Sequence, residues 1–72
     1  MRGNFVYKKV GKKICHYRRA KHISQEKLSS AIGIHRTYLA RIEEGKANPS
    51  LSLLDRLAES LGLGVEKFME GL

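Results

Sequence analysis

Two short segments of helical periodicity, separated by a glycine, constrain the fold of this chain more than any other part of it. The stretch occupies residues 24–45 and reads SQEKLSSAIGIHRTYLARIEEG. Leu28 and Ile32 give the first segment one apolar side, and Leu39 and Ile42 do the same for the second. Gly33, between them, can adopt the positive φ that ends a helix at low cost. We therefore predict two helices joined by a tight turn, with the remaining elements as their support.

The second segment has a polar outer face. Arg36, Thr37, Ala40 and Arg41 alternate with its apolar positions, and the 3.6-residue period places them together on the side away from the core. A helix that presents donors from its first turns suits the major groove of DNA, where arginine can donate two hydrogen bonds to guanine and a threonine methyl can touch thymine. The same face could instead be merely solvated, and the helix alone does not decide between the two.

Charge is distributed unevenly along the chain. The formal net charge is +7, and residues 1–41 hold 11 Lys or Arg against one acid, whereas residues 42–72 hold 3 against 6. A basic half of this kind indicates a polyanionic partner, either nucleic acid or an anionic membrane. Because the basic residues surround the two-helix motif, nucleic acid is the favoured partner.

Length and hydropathy limit the remaining possibilities. A chain of 72 residues corresponds to one domain. A domain of this size buries only about 60% of its unfolded surface, so its core must be compact, and recurring Leu, Ile and Val indicate that it is helical. No run is long and apolar enough to span a membrane, and the start lacks the apolar stretch of a signal peptide. We expect a cytoplasmic protein that does not bind membranes.

The reactive side chains do not form a catalytic or metal-binding pattern. The sequence has no paired nucleophile and base, no glycine-rich phosphate loop and no cluster of metal ligands. Cys15 is the single cysteine and has no partner at metal-ligand spacing, even with His16 and His22 nearby. We therefore expect a binding module rather than an enzyme, with no cofactor, no metal and no small-molecule substrate.

Motif positions follow one another in a familiar order through most of the chain. The central set is Ser24-Gln25, Leu28, Gly33-Ile34, Leu39, Ile42-Glu43 and Gly45. The flanking sets are Gly11 to Ile14 with Arg18, and Asn48-Pro49-Ser50-Leu51 with Leu54, Leu57-Ala58 and Leu61-Gly62. Together they resemble the phage repressor and Cro (XRE) family of helix-turn-helix proteins over roughly residues 10–69. The resemblance implies an all-α, compact five-helix bundle of the lambda repressor-like type, with the helix-turn-helix formed by helices 2 and 3.

The whole chain, residues 1–72, is expected to form this single domain, with residues 1–4 frayed. The first helix is predicted from an apolar stripe of Val6, Val10, Ile14 and Tyr17, capped by Asn4. Gly11 interrupts the stripe, so one continuous helix and two shorter pieces both fit. The helix should end near His22, where the family usually has glycine, with His22 as the C-cap residue.

The resemblance assigns contacts to DNA residue by residue. Base contacts are predicted for His35, Arg36, Thr37 and Arg41. Phosphate contacts are predicted for Gln25, Tyr38, Lys46 and Asn48. His35 stands at the cap position of the second helix and either caps it or contacts DNA. In this family an arginine of the first helix pairs with the glutamate that follows the recognition helix's isoleucine, which here implies a pair between Arg18 and Glu43.

The end of the chain carries more apolar residues than a short helix needs. These are Leu63, Val65, Phe68, Met69 and Leu72 around a predicted helix from about Val65 to Glu70. They either close the core or form a surface for self-association, a use that the family makes of its C-terminal helices. We expect a dimer interface of Leu53, Phe68, Met69 and Leu72.

The most concrete expectation is a sequence-specific transcriptional regulator that binds double-stranded DNA as a homodimer on a two-fold symmetric operator. The bare domain, the extended first helix with Phe5, Val6 and Val10, and the run Arg36-Thr37-Tyr38 are similar to restriction-modification controller proteins. A phage-type repressor or a free-standing regulator fits the same features. The alternative from another class is an antitoxin-like protein whose main partner is another protein, held through the apolar C-terminal surface.

Overall fold

The computed structural model describes the backbone of residues 2–72 and the side chains of residues 5–72. This part of the chain forms five α-helices and no strand, which confirms the predicted all-α fold with the helix-turn-helix in α2 and α3. The helices are α1 (Arg2–Ala20), α2 (Gln25–Ile32), α3 (Arg36–Glu43), α4 (Leu51–Ser60) and α5 (Glu66–Met69). Within residues 2–72, none of them has the length and hydropathy needed to cross a membrane.

The first helix is longer at its start than the sequence predicts. It begins at Arg2, so Asn4 lies inside the helix rather than capping it. The predicted fraying of residues 1–4 falls in part on Met1, which lies outside the described residues. At the other end the helix stops at Ala20, and His22 adopts a left-handed conformation with φ of 57°. A histidine therefore adopts the left-handed conformation that usually favours glycine at the end of a helix.

Gly11 lies inside a continuous helix, and the reason is a close approach between helices. Its α-carbon faces the end of α3, where an added Cβ would overlap the carbonyl oxygen of Ile42 and lie 2.7 Å from that of Glu43. The helix is not broken there because the flanking Val10 and Ile14 are buried in the core and hold both halves in line. Glycine thus allows α1 to lie directly against the C-terminal end of α3.

The core draws side chains from all five helices. Its buried apolar residues are Val10, Ile14, Leu28, Ile32, Leu39, Ile42, Leu53, Leu54, Leu57, Ala58, Leu61 and Phe68. Fully burying one such large side chain stabilises a fold by roughly 1.5 to 3 kcal/mol. The inward positions predicted for α2 and α3 are all in this set, so the apolar periodicity is confirmed for the two helices that carry the motif.

The C-terminal helix closes the core, and this corrects two of the predicted dimer contacts. Phe68 is fully buried, with its ring centroid 6.3 Å from that of Tyr17, and Leu53 is also buried. Helix α5 has only four residues, so its single inward position is taken by the largest apolar side chain nearby. The assignments of Phe68 and Leu53 to the dimer interface are therefore wrong for these side chains. Leu72, by contrast, is 55% exposed, and Met69 is half-buried.

Candidate nucleic-acid interface

The turn between α2 and α3 is built from side-chain caps and one glycine. The Ser24 hydroxyl accepts a hydrogen bond from the Lys27 amide at 3.0 Å, which satisfies one of the open amides of α2. Gly33 has φ of 75° and ends the helix, and the Ile34 amide then donates back to the Ser29 carbonyl at 3.0 Å. Only three residues, 33–35, therefore separate the end of α2 from the start of α3.

His35 caps α3, which settles one of its two predicted roles. Its Nδ1 accepts a hydrogen bond from the Thr37 amide at 3.2 Å. Because Nδ1 is the acceptor, the proton of the neutral ring is assigned to Nε2, which remains a donor on the exposed surface. The cap aligns the first turn of α3, and a contact from Nε2 to DNA stays a prediction.

The exposed face of α3 contains three of the four residues that the sequence places there. Arg36, Thr37 and Arg41 are exposed, while Ala40 is half-buried. Tyr38 is also exposed, whereas Leu39 and Ile42 are buried against the core. These two buried anchors fix the rotation of the helix about its axis. The structure therefore presents Arg36 and Thr37 together in the first turn, at the end of the helix that suits entry into a groove.

Arg41 makes a contact that the sequence does not reveal. Its Nη2 donates a hydrogen bond of 2.9 Å to the carbonyl oxygen of Lys46, and the Lys46 amide donates to the Arg41 carbonyl at 2.8 Å. The guanidinium is thereby directed toward the loop after α3 and away from the first turn.

A buried ion pair ties α3 to α1. Arg18 Nε lies 2.7 Å from Glu43 Oε2 and Arg18 Nη2 lies 3.0 Å from Oε1, so the predicted pair is present and has two parallel bonds. The two side chains are 8% and 5% exposed. Arg18 Nη1 also donates to the Ile23 carbonyl at 2.8 Å, which fixes the connection between α1 and α2.

The electrostatics of the pair favour its charged form. Burial acts to raise the pKa of Glu43, but the hydrogen bonds from Arg18 and Gln25, with the charge of Arg18, outweigh it and hold that pKa below its usual range. The hydrogen bond to Glu43 correspondingly raises the pKa of Arg18 against the opposing effect of burial. Both groups therefore stay ionised at neutral pH.

Gln25 has a structural role that sequence reasoning missed. Its Nε2 donates to Glu43 Oε1 at 2.9 Å, so its amide joins the start of α2 to the end of α3 and the ion pair. Two features of the sequence could have indicated this role: a glutamine at the first position of α2, and an acid directly after a buried isoleucine. The predicted phosphate contact would use the other amide hydrogen, and it stays a prediction.

The loop between α3 and α4 presents the other predicted phosphate ligands. Lys46 and Asn48 are both exposed there. Lys46 Nζ lies 3.6 Å from Glu44 Oε1 in an exposed pair, and such pairs contribute less than about 1 kcal/mol. A phosphate can therefore replace Glu44 as the partner of Lys46 at little cost.

Comparison with known proteins places this geometry in a family. Residues 16–68 match the model of the helix-turn-helix family HTH_3. The chain is 42% identical over 65 residues to the ImmF control region 10 kDa protein of Bacillus phage phi105, covering 88% of this chain and 72% of that protein. It is 40% identical over 53 residues to control protein C.SmaI of Serratia marcescens, covering 74% of this chain and 63% of that protein.

A solved structure agrees with the sequence relatives. The restriction-modification controller protein C.AhdI from Aeromonas hydrophila superimposes with a TM-score of 0.83 at 32% identity, over 86% of this chain and 94% of that one. Together with the family match and the exposed polar face of α3, this confirms the resemblance found in the sequence. The chain belongs to the phage repressor and Cro (XRE) type of helix-turn-helix family, whose members are DNA-binding transcription regulators.

Proposed function

We propose that this protein binds double-stranded DNA in a sequence-specific manner, as a homodimer on a two-fold symmetric operator, and acts as a restriction-modification controller. The observation that carries the proposal is the exposed face of α3, presented in one orientation by the Arg18–Glu43 pair and by the buried Leu39 and Ile42. Its relatives include a restriction-modification controller protein, a control protein and a protein of the ImmF control region of a phage, which supports a regulatory role.

In this proposal α3 is the recognition helix. Arg36 and Thr37 contact base edges from its first turn, and His35 Nε2 donates either to a base or to the DNA backbone. Tyr38, Lys46 and Asn48 hold phosphates beside the groove, with Gln25 at the start of α2. Arg41, directed to the loop after α3, takes a backbone contact rather than its predicted base contact.

Arg36 is expected to contribute specificity rather than affinity alone. If it donates two hydrogen bonds to a guanine, Arg36→Ala should lose about 1 to 3 kcal/mol on the cognate site and relax the preference at one base pair per half-site. Arg36→Lys is the matched control, because lysine keeps the charge but not the two parallel donors. The measurement is binding to a set of duplexes that differ by single base pairs.

The two substitutions separate a base contact from a phosphate contact. A base contact predicts that Arg36→Lys loses the preference nearly as completely as Arg36→Ala. An equal loss on every duplex, largely restored by lysine, would make Arg36 a phosphate ligand and leave base contacts to Thr37.

The dimer contact must use the apolar surface that remains exposed. Leu72 and Leu51 are 55% and 66% exposed, and Leu51 lies with Val6, Pro49 and Met69 around an apolar groove. A two-fold contact through this surface would cover both leucines and repeat the recognition helix about 34 Å away along the DNA, or a multiple of that distance.

Leu51→Glu combined with Leu72→Glu should shift the protein from dimer to monomer in sedimentation and weaken binding to a palindromic duplex. Lys67→Glu is the control, because Lys67 is exposed on α5 but contributes no apolar area. A wild-type chain that stays monomeric at high concentration and binds one subunit per site would contradict the dimer. Co-purification with a second small polypeptide would instead support the antitoxin-like alternative.

A further inference from the structure

A line of cations on α1 lies outside the residues already assigned to DNA. Lys8, Lys12 and Arg19 are spaced by four and seven residues, so they share one face of the helix, and all three are exposed. We call them the α1 basic track. The neighbouring Lys9 is different, because its Nζ donates to the Gly71 carbonyl at 3.3 Å and lies 5.0 Å from the centre of the Phe5 ring.

The two ends of the α1 basic track lie near opposite ends of the recognition helix. At one end Lys8 packs against Gly45, where an added Cβ would lie 2.6 Å from the Lys8 α-carbon, and it borders a surface depression with Lys46. At the other end Arg19 borders a polar depression with Ser24, Gln25 and Arg36. The track therefore joins both ends of the proposed interface.

Because α1 packs against α3, the α1 basic track lies close to the rim of a DNA groove that α3 occupies. Packed helices have axes about 8 to 10 Å apart, and Gly11 allows α1 to approach the end of α3 closely. The major groove is about 12 Å wide, so its phosphates lie beside a helix that occupies it. The eleven residue-to-residue steps from Lys8 to Arg19 extend about 16 Å along the helix, comparable to the rise of four or five nucleotides along one strand.

The nearby acids leave this line of charge largely uncompensated. Glu43 borders a depression with Lys12 and Arg19, but its carboxylate is buried and bound by Arg18. Glu26 borders the depression that contains Arg19 and Arg36, and Glu44 borders the one that contains Lys8. Among the described residues, Lys12 and Arg19 form no ion pair, since the three pairs are Arg18–Glu43, Lys46–Glu44 and Lys67–Glu70.

We propose that the α1 basic track is a second phosphate-binding surface, which holds one DNA strand alongside the recognition helix and extends the footprint of each subunit. It rests on the proposed function, since it needs a duplex engaged by α3. Lys12 and Arg19 make its main contacts, because the Glu43 carboxylate at their shared depression is already bound by Arg18, whereas Lys8 shares its depression with the exposed Glu44. The track contributes affinity without sequence preference, because phosphates are the same at every base pair.

The test is the salt dependence of binding to a random-sequence duplex. Each lost phosphate contact reduces the slope of log K against log salt by about 0.9, so Lys12→Gln with Arg19→Gln should reduce its magnitude by close to 2. The matched control is Lys21→Gln with Lys67→Gln, which removes the same charge from exposed positions outside the track. The control pair should leave the slope within about 0.5 of the wild type.

Two further measurements keep the outcomes distinct. Lys12→Arg with Arg19→Lys should restore the slope, and the unfolding midpoint of the glutamine pair should match that of the control pair, because both replace exposed side chains. The proposal fails if Lys12→Gln with Arg19→Gln keeps the wild-type slope, or if the control pair reduces the slope equally. The α1 basic track would then not bind phosphates, and α3 would remain as the interface. A wild-type protein that binds no duplex would overturn the proposed function itself.

Discussion

Glu43→Ala is expected to lower the free energy of unfolding by about 3 kcal/mol or more. Removing one partner of a buried ion pair leaves the other charge desolvated and unpaired, which typically costs about 3 to 5 kcal/mol. Here the substitution strands the Arg18 guanidinium and also removes the acceptor of the Gln25 amide. Chemical denaturation measures the effect directly, and Arg18→Ala should give a loss of similar size.

The exposed pair between Lys67 and Glu70 is the internal control. Its atoms lie 3.5 Å apart on the surface, so Glu70→Ala should change stability by less than about 1 kcal/mol. A Glu43→Ala midpoint equal to that of Glu70→Ala would show that the pair between Arg18 and Glu43 contributes no more than a solvated one. The fixed orientation of α3 would then need another explanation.

The same pair predicts a pH dependence with a definite sign. The pKa of Glu43 is lower in the folded protein than the value of about 4.3 expected for an unfolded chain. Its ionised form therefore stabilises the fold above that value, and the contribution is lost as the pH falls through the folded pKa. The stability difference between wild type and Glu43→Gln should be constant near neutral pH and shrink below about pH 4. A difference that grows toward low pH would contradict this sign.

Gly11→Ala is expected to destabilise the fold by on the order of 3 kcal/mol, against the usual preference of helices for alanine. In an unconstrained helix this change would stabilise by about 1 kcal/mol. At position 11 the new methyl group would overlap the Ile42 carbonyl oxygen and press on Glu43. Overpacking costs typically 1 to 3 kcal/mol, and the upper end applies because both obstacles are backbone atoms that cannot rotate away.

Lys12→Ala provides the comparison for Gly11→Ala. Lys12 is the next residue of the same helix and is exposed, so alanine there should change the unfolding midpoint little. A Gly11→Ala protein at least as stable as the wild type would show that α1 and α3 can separate without loss. Retained stability with weakened DNA binding would instead mean that the helices shift and that α3 turns out of position.

The elements of this fold were predictable where the relevant interactions are local. Ser24 and Ser50 cap their helices and Gly33 forms its turn through neighbours within a few residues, and Gly33 has the predicted turn role. The buried faces of α2 to α4 follow from apolar spacing in the same way. The sequence does not decide whether α1 continues through Gly11. The feature that requires a glycine there is the carbonyl group of Ile42, which lies some thirty residues away in the sequence.

The errors in the predicted sites have the same origin. Phe68 looked available to a partner because the sequence does not show that a four-residue α5 turns it into the core. The base contact predicted for Arg41 does not take account of its hydrogen bond to the Lys46 carbonyl, which depends on the path of the loop. The pair between Arg18 and Glu43 was predictable only through the family resemblance, since the two residues are 25 positions apart.

Selection of bound sites from a random duplex library tests the central claim most directly. The claim predicts enrichment of a palindromic motif whose half-sites are about one helical turn apart, or a multiple of it, because a symmetric dimer repeats its recognition helices at that spacing. It also predicts that one base pair per half-site loses its preference in Arg36→Ala. A library that shows no enriched motif, or a single half-site unchanged by Arg36→Ala, would contradict the account.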